Sequence, residues 1–135
     1  MLSATILAEN LTDGNYINCY SNMMTNYTSG GWNLIGENTG CPIPYLEDDV
    51  FDVSAVNLNL GPLQINQSGP MTHALLPGSL AIDWVTEGEA GCGDIVQNDA
   101  RGIRRPIYTF SGGTESCDVG AYEVGSMGFL PLLKK

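Results

Sequence analysis

Short apolar runs alternate with polar, turn-forming residues along this chain. The runs are rich in Ile, Leu, Val, Thr and aromatic residues and are bounded by clusters of Asn, Asp and Gly, which is the pattern of short strands. No segment between Met1 and Val124 shows a 3.6-residue period. The pattern therefore predicts an all-β chain, with short strands at 3–8, 16–20, 32–35, 107–110 and 119–124 and one or two more between 52 and 65.

The stretch from Leu60 to Asp83, LGPLQINQSGPMTHALLPGSLAID, interrupts this pattern with closely spaced turn signals. Gly-Pro, Ser-Gly-Pro and Leu-Pro-Gly-Ser steps follow one another, and Gly favours positive φ while Pro fixes φ near about −65°. Neither a helix of ordinary length nor a long strand fits between such breakers. We therefore expect a rigid surface coil lying against an apolar body.

The composition is that of one turn-rich domain. A chain of 135 residues is long enough for a single domain with a buried core. It contains 17 Gly and 7 Pro, whereas only 15% of its residues are charged, and this balance favours turns and short strands. No window of about 18 apolar residues occurs, so no membrane-spanning segment is predicted.

Charge is distributed unevenly along the chain. Residues 1–100 hold twelve acidic residues and no Lys or Arg, whereas residues 101–135 hold all five basic residues and three acidic ones. The formal net charge is −10. Because so acidic a surface repels phosphate backbones, we predict no nucleic-acid partner.

The candidates for catalysis and metal binding are few. His73 is the only histidine, which excludes His-based triads and multi-His metal sites and favours a hydrogen-bonded structural role. Ser79 lies in Pro-Gly-Ser and is interpreted as a turn former. The acidic segment Glu47–Asp52 could hold calcium, but it lacks the Asp/Gly alternation of calcium loops, so a solvated acidic loop is preferred. We predict no catalytic residue, no metal site and no cofactor.

The four cysteines, Cys19, Cys41, Cys92 and Cys117, show no C-x-x-C spacing. A zinc site or a thioredoxin-like motif is therefore not expected. An even count in a β-rich chain predicts two disulfides and an oxidising compartment. Three pairings are possible from the sequence alone.

Several separated motifs resemble one group of proteins. They are Gly31–Gly36 followed by Cys41, Gly61–Leu63 with Asn66, Thr72–Ser79, Ala81–Asp83, then Asp99, Arg101, Gly102, Arg105 and Pro106, and finally Cys117–Glu123. In this order they resemble the C-terminal region of secreted bacterial right-handed parallel β-helix proteins, the "choice-of-anchor Q" type of domain. The chain departs from that pattern at Asn57-Leu58, where Asp-Pro is usual, at Gln67-Ser68, where Gly-Gly is usual, and at Leu80, where Pro is usual.

The resemblance implies a right-handed parallel β-helix whose final coils end in a disulfide-pinned cap. We expect one domain over residues 1–124, with coils in 1–56 and the terminal coil and cap motifs in 57–124, followed by a tail at 125–135. The chain is expected to begin within the architecture, as a cut piece or a processed product. Together with local loop closure, the family pattern favours the pairs Cys19–Cys41 and Cys92–Cys117.

Arg101 and Arg105 are the candidate centre of a polar network. Guanidinium groups suit partly buried carboxylate pairing, and four motif carboxylates could supply the partners: Asp83, Asp99, Asp118 and Glu123. We expect these six residues to fasten the motif segments together as a cap over the last coil. The rival hypothesis is the binding of an acidic sugar by the arginines.

The tail differs from everything before it, because Phe129, Leu130, Leu132 and Leu133 precede two lysines. We interpret it as a sorting, docking or assembly element; the alternative is a tail that packs on its own domain.

The function expected is a non-enzymatic, secreted or cell-surface structural protein that associates with itself head to tail. One alternative is an adhesive or carbohydrate-binding module that uses Trp32 and Trp84 as stacking faces and cell-surface polysaccharide as its partner. The other alternative is the remnant of a polysaccharide lyase or hydrolase.

Overall fold

A computed structural model of the protein describes residues 1–19, 27–36, 42–107 and 115–125. These residues form eight strands and one short helix, so the predicted all-β class is confirmed. The elements are β1 (Ile6–Leu7), β2 (Leu11–Thr12), β3 (Asn15–Tyr16), β4 (Leu34–Ile35), α1 (Ala55–Leu58), β5 (Leu60–Ile65), β6 (Met71–Leu75), β7 (Val85–Thr86) and β8 (Ser116–Cys117). Within the described ranges no helix is long and apolar enough to cross a membrane.

The strands pair into four two-stranded sheets. β1 and β4 are parallel, whereas β2–β3, β5–β6 and β7–β8 are antiparallel. None of these sheets closes on itself within the described part of the chain. The architecture is therefore a set of small open sheets packed around shared apolar clusters.

A parallel ladder joins three segments that are far apart in sequence. Ile6 lies beside Leu34 in the β1–β4 pair, and Leu34 in turn forms a parallel bridge with Val50. The Leu34 N–H donates to Thr5 O at 2.9 Å, and the Val50 N–H donates to Asn33 O at 2.8 Å. The three segments are thus stacked as successive layers of one ladder.

The ladder separates two apolar clusters, because successive side chains of a strand point to opposite faces. Leu34 belongs to the main cluster and Ile35 to the smaller one, and both are fully buried. The main cluster consists of Leu34, Val53, Leu58, Leu75, Ala81, Val85, Cys92, Cys117 and Val119. It therefore draws on every part of the chain from β4 to the residues after β8.

The stretch from Leu60 to Asp83 is not the surface coil that its turn signals predicted. Its first part forms the β5–β6 hairpin, whose strands of six and five residues are the two longest among the described residues. Pro62 is accommodated because the register shifts between Leu60 and Leu63, and a bulge is one of the places where a sheet tolerates a missing N–H. The Ser-Gly-Pro step lies in the connection between the strands.

The interval predicted as strand from residue 52 to 65 contains α1 instead at its centre. Ser54 caps this helix, since its Oγ accepts the Asn57 N–H, and Asn59 ends it in the left-handed conformation with φ of 41°. A four-residue helix is too short to show a 3.6-residue period. The interpretation of this interval as strand was therefore wrong before Leu60.

Two further strand assignments differ at the C-terminal side. The last strand was predicted at 119–124, but β8 occupies Ser116–Cys117 and the later residues are irregular. Val85–Thr86, where no strand was predicted, forms β7 opposite β8. The predicted strand at 107–110 lies almost entirely outside the described residues.

The predicted disulfide between Cys92 and Cys117 is confirmed, with 5.8 Å between the two Cα atoms. It ties the loop after β7 to β8. Cys19 is also disulfide-bonded, while its predicted partner Cys41 lies outside the described residues.

Peptide mapping without reduction tests the whole disulfide pattern. We expect one peptide pair that joins Cys92 to Cys117 and a second that joins Cys19 to Cys41, because all four cysteines are then used in local loops. A peptide that joins Cys41 to Cys92 would contradict this pattern.

Candidate functional site: a buried carboxylate and arginine network

A cluster of buried charged side chains lies where the loop from Asp99 to Arg105 meets residues 118–124. The loop is tight, since the Asp99 N–H donates to Ile103 O at 2.7 Å and the Gly102 N–H donates back to Asp99 O at 3.0 Å. Gly102 permits this turn because its φ is +85°, which favours glycine. The loop holds Arg101, Arg105 and Asp99 inside the protein, at 7–9% exposure, whereas Arg104 is exposed.

Asp99 is the acceptor around which the loop is built. Its Oδ1 accepts the N–H groups of Arg101 and Ile103, at 2.8 and 3.0 Å. Its Oδ2 accepts from the Arg101 side chain, at 2.8 Å from Nε and 2.6 Å from Nη2, and from the Glu123 N–H at 2.9 Å. The carboxylate thus receives five donors, and one of them belongs to the C-terminal segment.

Arg101 connects the same two segments through its other groups. Its Nη2 donates to the backbone oxygen of Glu123, and its guanidinium carbon lies 3.5 Å from the centre of the Tyr122 ring. A guanidinium over an aromatic face is attracted by the ring quadrupole. Tyr122 had not been predicted as part of the site, although it stands next to Glu123 in the motif.

Arg105 contacts the segment at a second point. Its Nη2 donates to Gly120 O at 2.7 Å, and its Nε lies 3.0 Å from Glu123 Oε2. The Nε–H is not aligned with this oxygen and makes no other hydrogen bond within the described residues, so the contact with Glu123 is an ion pair without a directed hydrogen bond.

Asp118 extends the network to the chain before β7. Its Oδ1 accepts the Asp83 N–H at 2.8 Å, and its Oδ2 accepts the Val124 N–H. The Asp118 N–H in turn donates to Glu123 Oε2 at 3.0 Å. Asp83 therefore enters the network through its backbone, while its side chain is exposed.

Of the six predicted cap residues, the structure brings five side chains together and places the sixth at the edge. The buried members are Asp99, Arg101, Arg105, Asp118 and Glu123. They comprise three carboxyl groups and two guanidinium groups, so one carboxyl group has no cation to balance it. That excess determines how the carboxyl groups titrate.

The buried carboxyl groups divide into two kinds. Burial raises the pKa of Asp118 to about 6 and that of Glu123 to about 7, and the proximity of each group to another carboxylate adds to the rise. Burial also acts to raise the pKa of Asp99, but the donors from Glu123, Ile103 and Arg101 outweigh it, so the pKa of Asp99 lies below its ordinary value. Asp99 is thus the fixed anion of the network, while Asp118 and Glu123 titrate near neutral pH.

The network has the contacts of a structural clamp. The Asp99 and Asp118 oxygens and the Nη2 nitrogens of both arginines are engaged by groups of the protein itself, and the five side chains are buried. An acidic sugar could reach the guanidinium groups only by displacing these internal partners. The geometry therefore favours a role in fastening the C-terminal segment.

His73 and Ser79 lie elsewhere and have structural contacts. The Nδ1 of His73 lies 2.7 Å from Gly61 O across the hairpin, and the buried Ser79 Oγ donates to Leu58 O. Ser79 Oγ also accepts the Ala81 N–H at 3.2 Å. Each side chain thus contacts nearby backbone groups and stabilises the local structure.

The acidic segment Glu47–Asp52 contains one residue that sequence reasoning misplaced. Asp49 is only 3% exposed, and its carboxylate accepts from Ser29 Oγ at 2.6 Å and from Asn33 N and Nδ2 at 3.0 and 2.9 Å. Glu47, Asp48 and Asp52 are exposed. Within the described ranges no group of three or more His, Cys, Asp or Glu residues is placed to hold a metal ion.

The remaining predicted residues divide between the core and the undescribed tail. Trp32 and Trp84 are half-buried and pack against the main apolar cluster. The four residues of the predicted assembly tail, Phe129, Leu130, Leu132 and Leu133, lie outside the described residues.

No protein-family model, curated protein or solved structure matches this chain. The function proposed below therefore depends on the sequence motifs and on the geometry of the described residues.

Replacement of the buried arginines tests the clamp. Arg101→Ala and Arg105→Ala should each lower the free energy of unfolding by on the order of 3 kcal/mol, because a buried carboxylate loses its cation. Arg104→Ala is the matched control, since Arg104 is exposed, and it should change stability by less than about 0.5 kcal/mol. Chemical denaturation of the three variants measures the difference, and unchanged stability in both Arg101→Ala and Arg105→Ala would refute the clamp.

The raised pKa values of Asp118 and Glu123 predict how stability depends on pH. Both groups bind a proton more tightly in the folded chain than in the unfolded one, so their contribution is complete below about pH 4 and is lost as pH rises through 6 and 7. The free energy of unfolding should fall by roughly 1–3 kcal/mol over this window.

Glu123→Gln provides the control for this pH dependence. The variant should show a flatter dependence between pH 5 and about 7.5, whatever its stability at a single pH. Unfolding curves collected across this range measure the slope, and a stability that rises with pH in the native chain would contradict the assignment.

Proposed function

We propose that this chain forms the final coils and the cap of a right-handed parallel β-helix and acts as a non-enzymatic structural protein outside the cell. The observation that carries the proposal is the parallel ladder through Ile6, Leu34 and Val50. Stacking of distant segments in parallel register is how a β-helix buries its core. The motif resemblance indicates the same architecture.

The clamp supports the cap in this proposal, because it holds the C-terminal segment where that segment bonds to the middle of the chain and to its N-terminal part. The Val119 N–H donates to Ala81 O at 2.9 Å, and the Gly120 N–H donates to Ala4 O at 3.1 Å. Ala4 is bound on its other side, where its N–H donates to Gly31 O at 3.1 Å. Residues 119–120 thus continue the stack of layers at one side of β1.

The contacts of the polar side chains favour a structural role over an enzymatic one. The buried acids and arginines bind one another, while His73 and Ser79 bind backbone oxygens. The disulfide between Cys92 and Cys117 is compatible with an extracellular location. These observations support the structural hypothesis more than the adhesive module, whose proposed tryptophans pack on the core.

Self-association head to tail completes the proposal. A sheet edge with unpaired backbone groups is a template for another chain, and a contact between different surfaces of two copies extends without closing when its rotation does not form a ring. Residues 1–100 carry acidic residues without Lys or Arg, and the lysines at 134 and 135 carry the opposite charge for such a contact.

Electron microscopy of the purified full chain, together with light scattering over a concentration series, tests this association. We expect filaments or layers and a mass that increases with concentration. A monodisperse monomer at the highest concentration would overturn the assembly hypothesis.

A further inference from the structure

Residues 118–124 cross the protein as an irregular segment that belongs to no strand or helix. We call this segment the strap. It begins directly after Cys117, which is held in place by β8 and by the disulfide to Cys92. The strap then makes three isolated backbone bonds to the body of the protein: Val119 N–H to Ala81 O, Gly120 N–H to Ala4 O, and Ala100 N–H to Ala121 O.

Charged side chains of the clamp supply further attachments of the strap. Asp99 Oδ2 accepts the Glu123 N–H at 2.9 Å, and Arg101 donates to the Glu123 backbone oxygen. Arg105 donates to Gly120 O at 2.7 Å. The strap is thus fixed at single points, whereas the segments of the parallel ladder are joined by repeated bonds along their length.

Two carboxyl groups of the strap itself are enclosed when it lies against the body. Asp118 is 2% exposed and Glu123 is 1% exposed. They are neighbours, because the Asp118 N–H donates to Glu123 Oε2 at 3.0 Å. Asp118 also reaches outside the strap, where its Oδ1 accepts the Asp83 N–H at 2.8 Å. Detachment of the strap would return both carboxyl groups to water.

The charged groups around these two acids do not balance them. Arg105 is the cation that acts on both, since Arg101 is paired with Asp99 at 2.6 Å. On the side before β7, Asp83 adds negative charge next to Asp118. The N-terminal segment packed against Gly120, residues 3–6, contains no charged residue. When Asp118 and Glu123 are both ionised, the closed strap therefore carries an uncompensated buried charge.

We propose that the strap is a pH-controlled latch, which is closed while Asp118 and Glu123 together hold a proton and detaches, pivoting at Cys117, when both are ionised. This inference goes beyond the pH dependence of overall stability, because it assigns the response to one segment. It does not depend on the proposed self-association.

The direction of the response follows from the closed state. Burial raises the pKa of Asp118 to about 6 and the pKa of Glu123 to about 7, and the neighbouring carboxylates add to the rise. In the detached strap both carboxyl groups are in water and titrate in their ordinary range. Proton binding therefore favours the closed strap, and this contribution is lost as the pH rises through 6 and 7.

Detachment would uncover two parts of the protein. Val119 is fully buried in the main apolar cluster and would leave it. Ala4 O and Ala81 O would lose the N–H groups that they accept from the strap. The latch therefore keeps the first part of the β1 edge covered under mildly acidic conditions and uncovers it above about pH 7.

Hydrogen exchange of the full chain, detected by NMR, tests the latch. The protection factors of the Val119 and Gly120 N–H groups, corrected for the intrinsic exchange rate at each pH, should fall on the order of tenfold or more between about pH 5.5 and about pH 8. The N–H groups of Ile35 and Val50 are internal controls, since both are bonded within the parallel ladder at 2.8 Å. Their protection should not follow the decline in the strap.

Two substitutions test which groups control the latch. Glu123→Gln should remove most of the decline in strap protection, because a single carboxyl group beside Arg105 can ionise without a surplus charge. The slope with pH is the measured quantity, so a lower protection at every pH does not affect this test.

Asp83→Asn should raise the strap protection at about pH 8 by roughly twofold or more, because it removes a negative charge next to Asp118. The bond to Asp118 comes from the backbone N–H of Asp83 and remains available. Asn also tolerates the φ of 52° at this position. Asp13→Asn is the matched control, since Asp13 is exposed and has a φ of 50° in the turn between β2 and β3. It should leave the exchange of the strap unchanged.

The outcomes decide between a local latch and a response of the whole fold. A decline that is confined to the strap and is flattened by Glu123→Gln supports the latch. If the strap and the ladder lose protection together, pH acts on the whole domain and the inference is wrong. It is equally wrong if the strap keeps its protection at about pH 8, or if Glu123→Gln declines as steeply as the native chain.

Discussion

The buried carboxylate of Asp99 is the interaction on which the C-terminal half of the structure depends. An isolated anion in the interior is costly, so it persists only where donors and cations surround it. Here the donors come from its own loop and from the N–H of Glu123, and Arg101 then reaches the Glu123 carbonyl and the Tyr122 ring. One carboxylate thereby fixes where residues 118–124 lie. That position in turn allows residues 119 and 120 to bond to Ala81 and Ala4, which brings the end of the described chain against its beginning.

The same network predicts that the stability of the protein depends on pH at this place. Five buried ionisable side chains with one surplus carboxyl group cannot all be charged without cost. Asp99 keeps its charge because five donors point at it. The proton that offsets the surplus negative charge is therefore taken up by Asp118 and Glu123, whose pKa values are raised. These two residues are also joined directly, because the Asp118 N–H donates to the Glu123 carboxylate. The clamp therefore holds most firmly under mildly acidic conditions. At higher pH the Asp118 and Glu123 carboxyl groups both ionise beside each other, and Arg105 is the cation that acts on both.

The class of fold could be predicted from the sequence. Local departures from the usual patterns, such as the register shift beside Pro62 and the burial of Asp49, could not. Strand-forming runs between turn residues indicate an all-β chain, and an arginine pair near several acids indicates a polar network. Pro62 argued against a strand, yet the register shift beside it removes the conflict. Asp49 looked like one of four exposed acids, because nothing in its neighbours shows that Ser29 and Asn33 fold over it. Such contacts join residues distant in sequence, and local patterns do not contain them.

The bond between Gly120 and Ala4 links the clamp to the edge of β1. Where it meets Ala4, Gly120 has a φ of +92°, a conformation that favours glycine. The bond to Ala4 covers the first part of the β1 edge, whereas the N–H and C=O of Ile6 have no hydrogen-bond partner among the described residues. The arrangement therefore covers part of the β1 edge and leaves the Ile6 backbone without such a partner in the described part of the chain.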